Sequence, residues 1–203
     1  MARVPATERR ADLIQAAIRV ATREGLAATT TRRIAEEAGI SVGIVHYCFR
    51  SKEELLHEAI RVISDAQVVA AQRAIAPGCD VPTSVRNAFR GFWGLVEETP
   101  DAQLLTYELT SWALRNAETE PLAREQRDRQ LAGITQILAE IASAADITFA
   151  APVDLLARMT LAVTDGVTLG WLVDRDTPAA KATLDAFTTQ LITLAAPTPA
   201  AAH

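Results

Sequence analysis

Thr30–Leu56 reads TTRRIAEEAGISVGIVHYCFRSKEELL, and this stretch decides the fold. Ile34, Ala38, Ile40 and Val45 fall at helical intervals on either side of Gly39, so two short helices share one core. Ala35 puts a small side chain where those helices cross most closely. Gly39, four positions later, supplies a residue free to take positive φ in the turn. Thr30 is placed to cap the first helix, read over Thr31 to Ala38, and a brief helix follows Ser41. Ser51-Lys52-Glu53-Glu54 is a capping box that opens a long helix reaching to about Ile75. A helix-turn-helix needs all of these together, whereas an ordinary helical hairpin would meet one or two.

Upstream, Thr7 is placed to cap a helix with Leu13, Ile14, Ala17, Ile18 and Ala21 on its apolar face, stopped at Gly25. Downstream, Ala76–Pro82 (APGCDVP) is the clearest loop. A fifth helix is expected to end near Glu98, before Pro100, and a sixth near Asn116. Pro121 restarts a seventh that ends near Ala145, Pro152 an eighth to about Asp174, and Pro178 a ninth. Alternating strand patterns are almost absent, so the fold class is all-α with about nine helices. The expected organisation is a helix-turn-helix domain over residues 1–50, a larger helical domain over 51–196, and a disordered tail over 197–203.

Of the 203 residues, 49% are hydrophobic and 22% charged, a mix that folds. The net charge of −5 is unevenly spread. Residues 1–61 hold ten Lys and Arg against eight Asp and Glu; residues 62–203 hold ten against seventeen. The first segment tolerates a polyanion and the second does not. The two cysteines, Cys48 and Cys79, and three histidines, His46, His57 and His203, form no ligand-spaced set, so neither a metal nor a cofactor is expected. With no bilayer-length apolar run and no signal peptide, the expected location is the cytoplasm, with no membrane partner. An all-helical enzyme is the weaker reading, because HExxH, a nucleophile elbow and a phosphate-cradling glycine loop are all missing.

Over about thirty residues without a gap, the opening stretch resembles the DNA-binding domain of the tetracycline-repressor family of bacterial regulators. The family pattern is T-[TV]-x-x-I-A-x-x-A-G-[VI]-S-x-G-x-[LIV]-Y-x-[HY]-F-x-S-K-E-x-L. This chain departs from it at His46, where the family has Tyr, and at Cys48, where His or Tyr is usual. The resemblance implies a homodimer that binds double-stranded operator DNA with the helix after Ser41 in the major groove. Val42, Gly43 and Ile44 then offer apolar contact to thymine methyls, and Tyr47 a contact to base or sugar. Arg32 takes either a guanine edge or a phosphate. Thr31, His46 and Lys52 fall at the family's phosphate contacts.

The same resemblance implies an effector pocket among helices five to eight and dimerisation through the last two. Phe89, Trp93, Tyr107, Glu108, Ser111, Trp112 and Met159 are the pocket candidates, with ordinary core packing as the alternative for each. The dimer candidates are Leu156, Val163, Gly166 and Gly170 on the eighth helix and Leu184, Phe187 and Leu191 on the ninth. Basic residues are sparse on helices five and six, which argues against a polyphosphate or acyl-CoA effector. The function implied is a repressor released by a small hydrophobic effector of unknown identity. The alternative is a DNA-binding regulator without an effector.

Overall fold

The computed structural model describes residues 5–115 and 117–197. In chain order the helices are α1 (Ala6–Glu24), α2 (Thr31–Glu37), α3 (Val42–Cys48), α4 (Lys52–Arg73), α5 (Val81–Glu98), α6 (Pro100–Ala113), α7 (Glu120–Ala145), α8 (Val153–Asp174) and α9 (Thr177–Thr193). Two three-residue strands, β1 (Ile147–Phe149) and β2 (Ala195–Pro197), pair antiparallel with Ile147 opposite Pro197. The Ala150 amide extends that clasp by donating to the Leu194 carbonyl at 2.7 Å. Strands this short carry no readable alternation, so the clasp has no signal in the sequence. The tail expected to be disordered begins at Pro197, which pairs in β2; residues 198–203 lie outside the described residues.

The chain divides into two compact units. The first takes the described residues up to Ser64 together with Asp101–Gln126; the second takes Asp65–Pro100 and the residues from Arg127 onward. In the first, α1 packs on α2 and α3. Leu13, Ile14, Ala17, Ile34, Ala35, Val45, Phe49 and Leu55 close one core, and Leu13 and Ile34 are 0% exposed. A neighbouring cluster joins Ala21, Leu56, Ile60 and Ile63 to Leu105 and Leu109 of α6. In the second unit α9 packs along α5 and α8. Its core carries an aromatic quartet: Phe89 meets Phe187 edge-on at 5.8 Å, and Trp93 meets Trp171 at 5.4 Å.

Local chemistry sets most element ends. The Thr30 side chain accepts the Arg33 amide at 3.1 Å, and Ser51 accepts the Glu54 amide at 3.1 Å, as read from the sequence. Thr7 does not cap α1, which starts one residue earlier behind Pro5 and has no side-chain cap. Asp80 caps α5 by accepting the Thr83 amide at 2.7 Å, so the loop ends two residues before Pro82. Pro82 then occupies the first turn, where its missing N–H costs nothing. Gly39 takes φ 66° between α2 and α3, and Gly25 takes φ 81° with ψ 164° after α1, a region open only to glycine.

Candidate nucleic-acid interface

The helix-turn-helix places α3 with its buried side, Val45 and Cys48, on the head core and its other side in solvent. Tyr47 is 79% exposed, and Ser41, Gly43 and His46 share that open face. The Tyr47 ring therefore stands in solvent on the outer side of α3. Val42 and Ile44 are half-buried and pack in part on the head core, so only part of each side chain is available outward. The Ser41 hydroxyl makes no cap hydrogen bond. Thr31 and Lys52 are half-buried at the starts of α2 and α4.

Of the neighbours Arg32 and Arg33 the sequence reading singled out Arg32, and the two side chains have different partners. Arg33 is committed to Glu24 by three hydrogen bonds of 2.7 to 3.1 Å. The Arg32 side chain is 83% exposed, and its one ion pair among the described residues is with Glu36, one turn away on its own helix, at 3.2 Å. An exposed pair of that kind is worth well under about 1 kcal/mol, so it holds Arg32 weakly. Arg33 belongs to a surface network in which Arg23 joins Glu24 and Glu37, each at 2.8 Å, and Arg19 joins Glu37 at 2.9 Å. The Arg33 and Arg23 guanidiniums hold the Glu24 carboxyl at about 2, against an ordinary 4.5, and Arg23 and Arg19 lower that of Glu37. The network ties α1 to α2 on the face away from their shared core.

A positioning residue that sequence reasoning missed is Arg10. Its guanidinium donates to the Cys48 carbonyl and to Glu54 Oε1 at 3.3 Å, and lies 4.1 Å from the centroid of the Phe49 ring. Glu54 in turn accepts the Arg50 amide at 2.8 Å. One side chain from α1 thereby holds the end of α3 and the start of α4, which fixes the angle of the recognition helix. Nothing in the local pattern marks Arg10, because its partners lie 38 and 44 positions on.

The expected pocket residues divide between the units. Phe89 and Trp93 belong to the second, where Phe187 and Trp171 fill the space against them, and Trp93 is 3% exposed. Met159, also in the second, lies on the exposed face of α8. Tyr107, Glu108, Ser111 and Trp112 belong to the first; the last three line one open groove with Lys52. Of the dimer candidates, Leu156, Leu184 and Leu191 are buried in this chain's own core, while Val163 and Phe187 are half-buried. Gly166 and Gly170 are exposed with open space above them, and Leu155, Met159, Leu169 and Val173 continue that face. Among the described residues no group of three metal-ligating side chains gathers, and no helix is long and apolar enough to cross a membrane.

A capped, closely packed helix-turn-helix with an outward recognition helix, on a chain whose later helices build a second unit, defines a DNA-binding transcription regulator. Residues 13–59 match the family model described as bacterial regulatory proteins, tetR family, and residues 83–195 match that of the BetI-type transcriptional repressor, C-terminal. The chain belongs to the tetR family of bacterial regulatory proteins. It is 30% identical to the HTH-type nicotine-responsive transcriptional repressor HdnoR of Paenarthrobacter nicotinovorans, over 88% of this chain and 91% of that one. It is 36% identical to the HTH-type transcriptional regulator BetI of Rhizobium meliloti, over 62% and 64%. Among solved structures it resembles the multidrug binding protein EbrR complexed with imidazole, with a TM-score of 0.65, 28% identity, and 96% and 98% of the two chains covered.

Proposed function

We propose that the chain acts in the cytoplasm as a homodimeric repressor, not an enzyme, that binds operator DNA through α3 and is released by a small organic effector. The observation that carries this reading is the open face of α3, with Tyr47 79% exposed on a head locked by Arg10. Residues 1–50 act as the reading head and 51–196 as the effector and dimer region. Tyr47, Gly43 and the outer parts of Val42 and Ile44 meet base edges. Ser41, Thr31, His46 and Lys52 hold phosphates, and Arg32, the arginine free of the Glu24 network, reaches a guanine or a phosphate. The partner face is the exposed stripe of α8: Leu155, Met159, Gly166, Leu169, Gly170 and Val173. Its apolar side chains in water and its glycines with clear space above them support a second copy's helix there. The nicotine-responsive relative and the imidazole-bound neighbour support a small organic effector.

DNA fragments recovered by the protein from a genomic pull-down provide the test. Lys52→Ala should weaken binding to specific and unrelated DNA alike and lower the log-log salt slope by roughly one unit for each phosphate no longer held. Tyr47→Ala should weaken only the recovered sequence, by about 1–3 kcal/mol. Gly170→Leu should give a folded monomer, because the space above Gly170 is open in the chain itself. An unchanged dimer in the centrifuge would move the interface elsewhere, and equal weakening on all sequences with Tyr47→Ala would remove base reading from α3.

A further inference from the structure

Within the first unit, the C-terminal half of α6 turns a charged stripe toward an open groove. Glu108, Ser111 and Trp112 recur at three- and four-residue spacing along it, and Arg115 follows in the turn after its last residue, Ala113. Leu26 and Ala27 of the α1–α2 connection, with Lys52 and Leu56 of α4, form the other wall. The groove is open to solvent and offers about 630 Å³, room for a small molecule to lie along it. Three other arginines of this unit, Arg19, Arg23 and Arg33, are all bound to Glu24 or Glu37. Lys52, Arg115 and Glu108 make no ion pair among the described residues. Three unpaired charges around a mostly apolar floor are a recognition pattern more than a stabilising one.

The charges also say which ligand fits. Two cations against one carboxylate leave the groove net positive, in a chain whose net charge is −5. A monoanion balances that excess, whereas a polyphosphate would set surplus negative charge beside Glu108 with nothing to pair it. Trp112, Leu26, Ala27 and Leu56 supply the surface for an apolar body.

We propose that this groove binds an amphiphilic monocarboxylate, its head between Lys52 and Arg115 and its body along the Trp112 indole, and that occupancy competes with DNA for Lys52. A carboxylate seated on that ammonium neutralises its single positive charge and sets a second anion beside any DNA phosphate there, so each anion is held less well when the other is present. The ligand therefore weakens DNA binding, and DNA weakens the ligand by the same factor. The DNA-coupled half rests on the regulator reading above; binding to the groove does not.

The full chain is titrated with 4-phenylbutyrate, with its neutral amide and with 4-phenylbutylamine, read by tryptophan emission and by melting temperature. The acid should bind about tenfold or more tighter than the amide, the amine should bind weakest, and the acid should release a recovered DNA fragment. Trp112→Phe should remove the emission change and keep the thermal shift. Arg115→Gln should abolish the acid's advantage over the amide and leave DNA affinity unaltered. Equal binding of acid and amide, or no binding by either, overturns the proposal. Weaker DNA binding with a reduced salt slope in Arg115→Gln also overturns it, by making the groove part of the DNA track. A compound that releases DNA from Arg115→Gln as well as from the parent leaves the sensor standing and sinks this site alone.

Discussion

In the first unit Thr29 buries its hydroxyl and donates to the Gly25 carbonyl at 2.8 Å; in the second, Thr168 buries its hydroxyl as completely and finds no partner among the described residues. Other side chains repeat the contrast, although Thr164 in the second unit does donate to the Thr160 carbonyl at 3.0 Å. Gln126 donates to Ser64 at 3.2 Å and Thr119 to the Ala113 carbonyl at 3.2 Å, all in the first unit. The orphaned atoms, Trp93 Nε1 and the hydroxyls of Thr160, Thr168 and Thr188, all lie in the second. An unmet buried hydroxyl costs about 1–3 kcal/mol, and among the described residues that cost falls in the second unit. A reading head must hold one geometry against DNA and satisfies its interior.

The glycines serve two different ends. Gly25 and Gly39 in the first unit and Gly78 in the second serve their own backbone, at positive φ. In the second, a Cβ on Gly91 would fall 2.7 Å from Ala74 Cβ, so this glycine lets α5 approach α4 closely. Gly166 and Gly170 have nothing within 4 Å.

Four measurements would break or sharpen this contrast. Phe49→Ala should have the largest effect, destabilising by about 3–5 kcal/mol, because it empties the head core and removes the ring under Arg10. Melting curves followed by DNA-binding assays would show it; a small effect would mean the head relaxes more than its packing implies. Next, Gly91→Ala should destabilise by about 1–3 kcal/mol through overpacking. Gly94→Ala, in an open helical position on α5, should stabilise the fold by about 0.5–1 kcal/mol. The same sign for both in denaturant unfolding would remove the close approach as the explanation.

Third, one substitution should act oppositely in the two units. Thr29→Val removes a made hydrogen bond and should cost about 1 kcal/mol, while Thr168→Val deletes an unmet group and should gain about 1 kcal/mol. Equal signs in the two melting temperatures would dissolve the comparison. The smallest effect belongs to Glu24, whose carboxyl is held at about 2 against an ordinary 4.5. A lowered folded-state value contributes stability above pH 4.5 that is lost as pH falls toward 2. The group is fully exposed, so solvent keeps the contribution small. Over that window the parent's melting temperature should fall more steeply than that of Glu24→Gln; parallel curves would take the α1–α2 network out of the acid response.

What the sequence determined by itself was whatever a few neighbouring residues decide. The Thr30 and Ser51 caps, the Gly39 turn, the small Ala35 at the crossing and the proline-led starts of α7 to α9 all act within about one or two helical turns. The family pattern sits in that same short span, so the class of protein was legible from Thr30–Leu56. Tertiary structure decided which stripe of α8 faces home. That helix is apolar nearly all round, and periodicity could not tell buried Leu156 from exposed Leu155. It also decided which of Arg32 and Arg33 joins Glu24, gave Arg10 its partners 38 and 44 positions away, and gathered Lys52 with Glu108 and Arg115 around one groove. Contacts between residues so far apart in the chain exist only once the helices have packed, because side-chain chemistry fixes what a residue can bind and packing fixes what lies within reach.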